Sequence, residues 1–219
     1  MENKIPQTTS VARRTVARSL EARRAAAEDE IERLIQGAFT VIERTGVLDP
    51  KVSAILAEAG LSNQAFYRHF RGKHELLVAV LDDGIRKLAA YLSHRMAERA
   101  PAEAVRAWVR GMAAQAQDPS GASATRPFAL ARGRLAERFP EEVAASEDQL
   151  TALLRDALEA ARATGEMPAV APKVEAESLY HLIMGWVQAR LVEERIPEAD
   201  EVDRLEAFVM AGLRRPASS

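Results

Sequence analysis

The stretch AGLSNQAFYRHFRGKHELL, residues 59–77, contains the signals of a tight turn between two short helices. Gly60 is a typical residue for the end of one helix, and Ser62 is a typical N-cap for the next. At about 100° per residue, Phe66 and Phe70 share one face of the second helix, and that face must be buried. The stretch therefore predicts a helix-turn-helix unit.

The opposite, polar face of this second helix is centred on Gln64 and Arg68, with Asn63, Ala65 and Tyr67 beside it. In a helix-turn-helix protein this helix enters the DNA major groove, where glutamine suits adenine and arginine suits guanine. A solvated polar face on a small helical hairpin is the alternative interpretation. The spacing of the residues leaves both interpretations open.

The composition predicts an all-α protein. Ala, Leu, Arg and Glu dominate the 219 residues, and the alternating pattern of β-strands is rare, so we expect about nine helices. The absence of cysteine excludes disulfides, thiolate metal sites and cysteine nucleophiles. No apolar run approaches the roughly 20 residues of a membrane span. We therefore expect a cytoplasmic protein that has no membrane partner.

Apolar residues at spacings of three and four predict where the helices begin and end. The first helix is expected from Glu28 to Gly46, and the second begins at Asp49, the expected N-cap. A longer fourth helix is expected to extend to near Arg99. The segment QDPSGASATRP, residues 117–127, is dense in turn residues and predicts a loop.

Positive charge is concentrated at the N-terminal end of the chain. Residues 1–27 contain six basic and two acidic side chains, whereas the whole chain has a net charge of −2. A basic arm before an acidic body is typical of a polyanion-binding end, although many such arms are only solvated. We therefore predict a basic flexible arm over residues 1–27 and leave its contact with DNA open.

The sequence shows no recognisable catalytic setting. It has no glycine-rich phosphate loop, no serine elbow and no carboxylate pair in a familiar context. His69 and His74 lie five residues apart, which is the wrong spacing for two metal ligands on one helical face. We expect no metal, no cofactor and no catalytic residue. A helical enzyme that uses an acid in a C-terminal cavity is kept as an alternative.

Residues 27–77 resemble the DNA-binding domain of the TetR family of bacterial transcriptional regulators. The matching positions are Ile55-Leu56, Ala59-Gly60, Ser62, Phe66-Tyr67-Arg68-His69-Phe70 and Lys73. The resemblance implies that Tyr67, His69 and Lys73 contact phosphates. The residues that it places towards the bases are Asn63, Gln64, Ala65 and Arg68. Lys51 stands where the family often has threonine, and we count it, with the cap Ser62, among the DNA-binding residues.

The resemblance also implies the rest of the architecture: a helix-turn-helix domain over residues 28–74 and a helical effector-binding and dimerisation domain over residues 75–219. The expected pocket residues are Tyr91, Trp108, Met112, Phe128, Tyr180 and Met184. The expected interface of a homodimer, built from the last two helices, comprises Leu179, Ile183, Trp186, Val187, Leu205, Phe208 and Val209. Packing inside a single domain explains both sets of residues as an alternative.

These expectations together describe a ligand-responsive DNA-binding regulator. We expect a repressor that a small hydrophobic effector releases from a palindromic double-stranded operator. The alternative is a helical small-molecule-binding or scaffold protein of the same fold that does not bind DNA.

Overall fold

The computed structural model describes residues 11–214, without the side chains at positions 12, 120, 124 and 131, and every regular element in this range is an α-helix. The predicted all-α fold class is therefore confirmed. The helices of the described range are α1 Val11–Thr45, α2 Val52–Ala59, α3 Asn63–His69, α4 Lys73–Met96, α5 Pro101–Gln117, α6 Pro119–Arg138, α7 Pro140–Ala163, α8 Pro172–Val192 and α9 Ala199–Leu213.

The N-terminal core holds the first three helices against the start of α4. Its fully buried side chains include Leu34 and Ile42 from α1, Ile55 from α2 and Phe66 from α3. The same cluster continues into the C-terminal helices through Phe128, Leu135 and Val143. The expected boundary between residues 74 and 75 is therefore not a boundary in the packing, because side chains from α6 and α7 complete the core of the first unit.

A second core lies among the C-terminal helices, where α5 packs against α4, α7 and α8. Trp108 is fully buried at its centre, and its indole N–H donates a hydrogen bond to the Leu150 carbonyl at 3.0 Å. Met112, Leu154 and Ile183 are buried in the same cluster. In the described range, no helix is long and apolar enough to cross a membrane.

The predicted flexible arm over residues 1–27 is wrong for the part that the structure describes. Residues 1–10 lie outside the described range, but residues 11–27 form the first turns of α1. The segment contains no glycine or proline, and its alanines and arginines are good helix formers. A helix already nucleated in the packed part of α1 propagates readily through such a segment.

The loop predicted over residues 117–127 is also wrong, because α6 begins at Pro119. The Asp118 carboxylate accepts a hydrogen bond from the backbone N–H of Gly121 at 2.8 Å, and proline is well tolerated at a first helical position. Pro127 lies inside α6 and lacks the backbone N–H that the helix would use. The turn-forming residues therefore act here as a helix N-terminus.

Two helix ends differ from the expectation by a few residues. The N-cap of α2 is Lys51 and not the expected Asp49. The Asp49 carboxylate forms an ion pair with the Lys73 ammonium at 2.5 Å. Helix α4 ends at Met96, three residues before Arg99, and Glu98 follows with a φ of 59°.

Two glycines provide a matched test of the C-terminal core. A Cβ atom at Gly111 would lie 2.4 Å from Cδ2 of the fully buried Leu92, whereas a Cβ at the exposed Gly133 would meet nothing within 4 Å. We expect Gly111→Ala to lower the free energy of unfolding by about 1–2 kcal/mol, because a tightly packed core cannot accept the methyl group without a shift. Gly133→Ala should raise it by about 0.5–1 kcal/mol through helix propensity.

Urea unfolding followed by circular dichroism measures both changes. A Gly111→Ala variant as stable as Gly133→Ala would contradict the close packing of α4 against α5.

Candidate nucleic-acid interface and ligand cavity

Helix α3 is anchored through one face and one cap. Phe66 is fully buried, Phe70 is nearly so, and the two rings lie 6.0 Å apart between centroids. The Ser62 hydroxyl accepts a hydrogen bond from the backbone N–H of Ala65 at 3.2 Å. Gly60 ends α2 in the left-handed region with a φ of 63°, which allows the tight turn. The predicted cap and turn residues are thus where the sequence places them.

The outward face of α3 carries the polar residues expected to meet DNA. Asn63, Gln64, Tyr67 and Arg68 are all exposed, as is Lys51 at the start of α2. Tyr67 is 61% exposed, and its ring packs edge-on against Phe66 with the two ring centroids 5.0 Å apart. This face offers amide, phenol and guanidinium groups on a short, rigidly held helix.

Two of the predicted DNA-binding residues do not lie on this face. Ala65 is only 3% exposed, so its expected position facing the bases is wrong in this structure. His69 lies four residues further on the same side of α3, and its side chain is 9% exposed. Its Nε2 atom lies 2.6 Å from a carboxylate oxygen of Glu30. The side of α3 that carries both residues faces the protein, so the imidazole contacts α1 in place of the expected phosphate.

Glu30 of α1 is a residue of this site that sequence reasoning missed. Its carboxylate pairs with His69 and also accepts hydrogen bonds from Arg68 Nη1 at 3.0 and 3.2 Å. The hydrogen bond with His69, followed by the charge of Arg68, lowers the pKa of Glu30. The resulting stabilisation is present above the ordinary glutamate pKa and is lost as the pH falls through the lower folded-state pKa.

Arg33, one turn further along α1, was also missed. Its guanidinium donates hydrogen bonds to the carbonyls of Ala59 and Gly60, at 2.7 Å and 3.0 Å from Nη2. These carbonyls lie at the C-terminal end of α2, where no backbone N–H of the helix can reach them. Neither Glu30 nor Arg33 stands out in the sequence, since acidic and basic residues are frequent in α1 and only the folded chain shows their partners.

A cavity of about 780 Å³ lies between the two cores. Four of the six expected pocket residues line it: Tyr91, Phe128, Tyr180 and Met184. Gln36 and Phe39 of α1 also contribute to its wall, and this contribution was not expected from the sequence. Among the described residues, no group of three or more His, Asp or Glu side chains is placed to hold a metal ion.

Trp108 and Met112 do not line the cavity, contrary to the expectation. Both are fully buried in the C-terminal core, and the Trp108 N–H is satisfied by the Leu150 carbonyl. The aromatic and flexible character of a side chain did not distinguish a cavity wall from a filled core, because both environments are apolar.

The cavity wall contains charged as well as apolar residues, and one of its ion pairs lies beside a buried phenol. Arg132 donates two hydrogen bonds to Glu147, at 2.5 and 2.7 Å, and Tyr180 lies beside this pair. Burial and the Glu147 carboxylate raise the pKa of the Tyr180 hydroxyl, and the hydrogen bond to Glu147 raises the pKa of Arg132. The cluster therefore combines a neutral phenol with a charge pair whose two charges compensate each other.

The residues expected at a dimer interface separate into three groups. Ile183, Val187 and Val209 are buried within the protomer, so their expected place in an interface is wrong. Phe208 is 68% exposed. The remaining three, Leu179, Trp186 and Leu205, are partly buried, and the exposed apolar residues Leu182 and Val192 lie on the same helices. Helices α8 and α9 thus combine core positions with exposed apolar positions.

The N-terminal part of the sequence matches a known family. Residues 34–80 match the family model described as bacterial regulatory proteins, tetR family. Over 63 residues the chain is 36% identical to the HTH-type transcriptional regulator BetI of Vibrio vulnificus (strain YJ016). This match covers 29% of the present chain and 32% of BetI, so the chain matches only about a third of the length of that relative.

Solved structures share the fold over most of the chain. E. coli NemR in its reduced form superposes with a TM-score of 0.70 and 21% identity, covering 87% of this chain and all of NemR. The transcriptional regulator FadR of Bacillus subtilis, in complex with stearoyl-CoA, superposes with a TM-score of 0.64 and 17% identity, covering 83% of this chain and 96% of FadR. Residues 34–80 thus carry a helix-turn-helix sequence of the tetR family of bacterial regulatory proteins, within an all-α architecture that the chain shares with these solved structures.

Proposed function

We propose that this chain is a transcriptional regulator that represses by binding a palindromic DNA operator and releases it when a small apolar molecule fills the cavity. The observation that carries the proposal is the anchoring of α3. Phe66 is fully buried while Gln64, Tyr67 and Arg68 are exposed on the opposite side. A recognition helix needs this combination, because only a rigidly held helix presents side chains to base edges in a fixed register.

Gln64 and Arg68 are the base-reading residues of the proposal, and Lys51 and Tyr67 contact the phosphates. The Arg68 side chain is held against α1 by its ion pair with Glu30 when no DNA is bound. Binding to a guanine edge must replace this pair, so Glu30 moderates the affinity of the interface. Phosphate contacts position the helix, while base contacts select the sequence.

Replacing a base-reading residue and a phosphate-binding residue should give different results. Arg68→Ala should cost about 1–3 kcal/mol and relax the base preference at one position in each half-site. Lys51→Ala should weaken binding to all sequences alike. It should also reduce the slope of log affinity against log salt concentration by about 1, which is the contribution of one phosphate contact. Affinities for the selected operator and its single-base variants, measured over a range of salt concentrations, separate the two effects.

Gln64→Ala provides a second test at the same face. If operator selectivity is unchanged in both Gln64→Ala and Arg68→Ala, these residues do not read bases.

A symmetric dimer completes the proposed DNA-binding unit. Phe208 and Leu182 are exposed apolar side chains on α9 and α8, and a second copy of the chain would remove both from water. A two-fold dimer repeats the same patch on both subunits and so requires a palindromic site. Its recognition helices are expected about 34–36 Å apart, one turn of DNA.

A charge in this patch should separate the subunits. We expect Phe208→Glu to give a monomer that binds the operator at least about tenfold more weakly, since each half-site is then bound without its partner. Leu130→Glu is the matched control, because Leu130 is also exposed and apolar but lies on α6, outside the DNA-binding helices and outside α8 and α9. Sedimentation and DNA titration measure the two properties. A Phe208→Glu variant that remains dimeric would exclude Phe208 from the interface.

The cavity suits an apolar molecule that carries one neutral polar group. Its wall is mainly aliphatic and aromatic, and its two ion pairs, Arg132–Glu147 beside Tyr180 and Lys87–Asp83, each compensate their own charge. The guanidinium already binds a carboxylate, so an anionic ligand would have to displace Glu147 and leave it unpaired. A hydroxyl or carbonyl group can hydrogen-bond to the cluster of Arg132, Glu147 and Tyr180 without breaking its ion pair.

Ligand binding has a short route to the DNA-binding helices. Phe39 of α1 and Val80 of α4 both line the cavity. Val80 is also buried in the N-terminal core that holds Phe66, and Phe39 packs against that core. A ligand that displaces these helices therefore changes the spacing of the two α3 helices in the dimer. The coupling is reciprocal: an effector that weakens operator binding tenfold is bound tenfold more weakly by the operator complex, which corresponds to about 1.4 kcal/mol.

The cavity can be narrowed at a glycine. Gly84 of α4 lies in the wall, and a Cβ there meets nothing within 4 Å. We expect the neutral fluorophore 2-naphthol to bind at least about tenfold more tightly than 2-naphthoate, because burying the carboxylate is costly. Gly84→Leu should weaken 2-naphthol binding, because the added side chain takes up part of the cavity, while operator binding persists.

Gly133→Leu is the control, because it makes the same change at an exposed position outside the cavity. Equal 2-naphthol binding in both variants would show that the probe does not enter the cavity. The second candidate function is a small-molecule-binding protein without DNA binding, which the size of the cavity favours. It requires 2-naphthol binding by a chain that binds no DNA.

A further inference from the structure

The N-terminal half of α1 extends beyond the packed part of the protein. From Arg13 to Ala26 every side chain is exposed, and the first buried position of α1 is Leu34. Residues 11–27 contain five arginines and one glutamate, a net charge of +4. The match to the family model begins at residue 34, so this extension lies outside it.

The extension is part of one continuous helix and is therefore a rigid element. Helix α1 runs without interruption from Val11 to Thr45. Glu30 of this helix contacts Arg68 and His69 of α3. At 1.5 Å per residue, the helix between residue 30 and residue 11 reaches about 28 Å beyond this contact. The basic extension thus starts beside α3, the proposed recognition helix, and continues beyond it.

The positive charge of the extension is only partly neutralised by neighbouring acidic residues. Arg24 pairs with Glu28 at 2.8 Å, but Arg13, Arg18 and Arg23 form no ion pair within residues 11–214. Of the acidic residues that follow, Asp29 pairs with Arg33 at 3.7 Å and Glu30 binds α3. Several arginines therefore remain available to an external polyanion.

The apolar residues of the extension do not form a face for a membrane or for a second helix. Val11, Val16 and Leu20 are the large exposed apolar side chains. At about 100° per residue, Val16 and Leu20 lie about 40° apart, but Val11 lies on the opposite side from Leu20. Two neighbouring residues are too few for an amphipathic stripe, which needs apolar positions over successive turns.

We propose that residues 11–27 of α1 bind the phosphate backbone of DNA that flanks the operator, adding affinity without reading sequence. The inference rests on the proposed DNA-binding function. Arginines distributed around the extension suit phosphates, which present the same charge whatever the base sequence. The reach of the extension places these contacts outside the base pairs read by α3.

The test is a full-length variant with Arg13→Gln, Arg14→Gln, Arg18→Gln and Arg23→Gln, since glutamine preserves the helix while removing charge. Fluorescence anisotropy measures binding to random-sequence duplexes of about 16 and 40 base pairs at several salt concentrations. On the longer duplex we expect the affinity to fall at least tenfold near 100 mM salt, and the salt slope to fall by about 2 or more. The loss on the short duplex should be smaller, because the flanking phosphates are missing.

A matched variant controls for net charge. It carries Arg99→Gln, Arg155→Gln, Arg162→Gln and Arg204→Gln, which remove four arginines from the C-terminal part of the chain, outside α1, α2 and α3. Equal losses in the two variants, or an unchanged affinity and salt slope in the first, would overturn the inference. Vesicles containing phosphatidylserine test the other polyanion, and a loss of vesicle binding with intact DNA binding would also overturn it. If the unaltered protein binds neither duplex at low salt, the DNA-binding function itself fails.

Discussion

The burial of Phe66 is the interaction on which the rest of the candidate interface depends. Helix α3 has only seven residues, and an isolated helix of that length is not stable in water. Its conformation is imposed by burial of the phenylalanine in a core built by α1, α2 and α4. The exposed side chains on the other face have a fixed direction only because this ring cannot move.

Polar contacts from α1 refine the position that burial determines. Arg33 binds the carbonyls at the end of α2, and Glu30 binds Arg68 and His69 on α3. One helix therefore holds both members of the helix-turn-helix unit. The same helix carries the basic extension at its N-terminal end and contributes Phe39 to the cavity wall, so three proposed functional elements share a single rigid element.

The cavity and the N-terminal core share side chains, so a displacement at one can reach the other. Phe128 lines the cavity and is also buried in the N-terminal core. On α4, Asp82 accepts hydrogen bonds from Ser146 at 2.8 Å and Gln149 at 3.2 Å on α7. A change in the cavity therefore acts on α4 and α6 directly, because tightly packed interiors transmit displacements and do not absorb them.

The sequence by itself determined the helical class, the turn between α2 and α3 and the division of α3 into a buried and a polar face. These features depend on near neighbours: Gly60 and Ser62 act within one turn, and Phe66 and Phe70 are related by helical periodicity. Only the tertiary structure decided that Ala65 and His69 face the protein, that Trp108 is core and not cavity, and that Ile183 is internal while Phe208 is exposed. It also decided that Asp118 starts a helix where turn residues predicted a loop. The physical reason is that a helical pattern shows which residues share a face, whereas the element that covers each face, whether protein, ligand or solvent, is set by contacts between residues far apart in the chain.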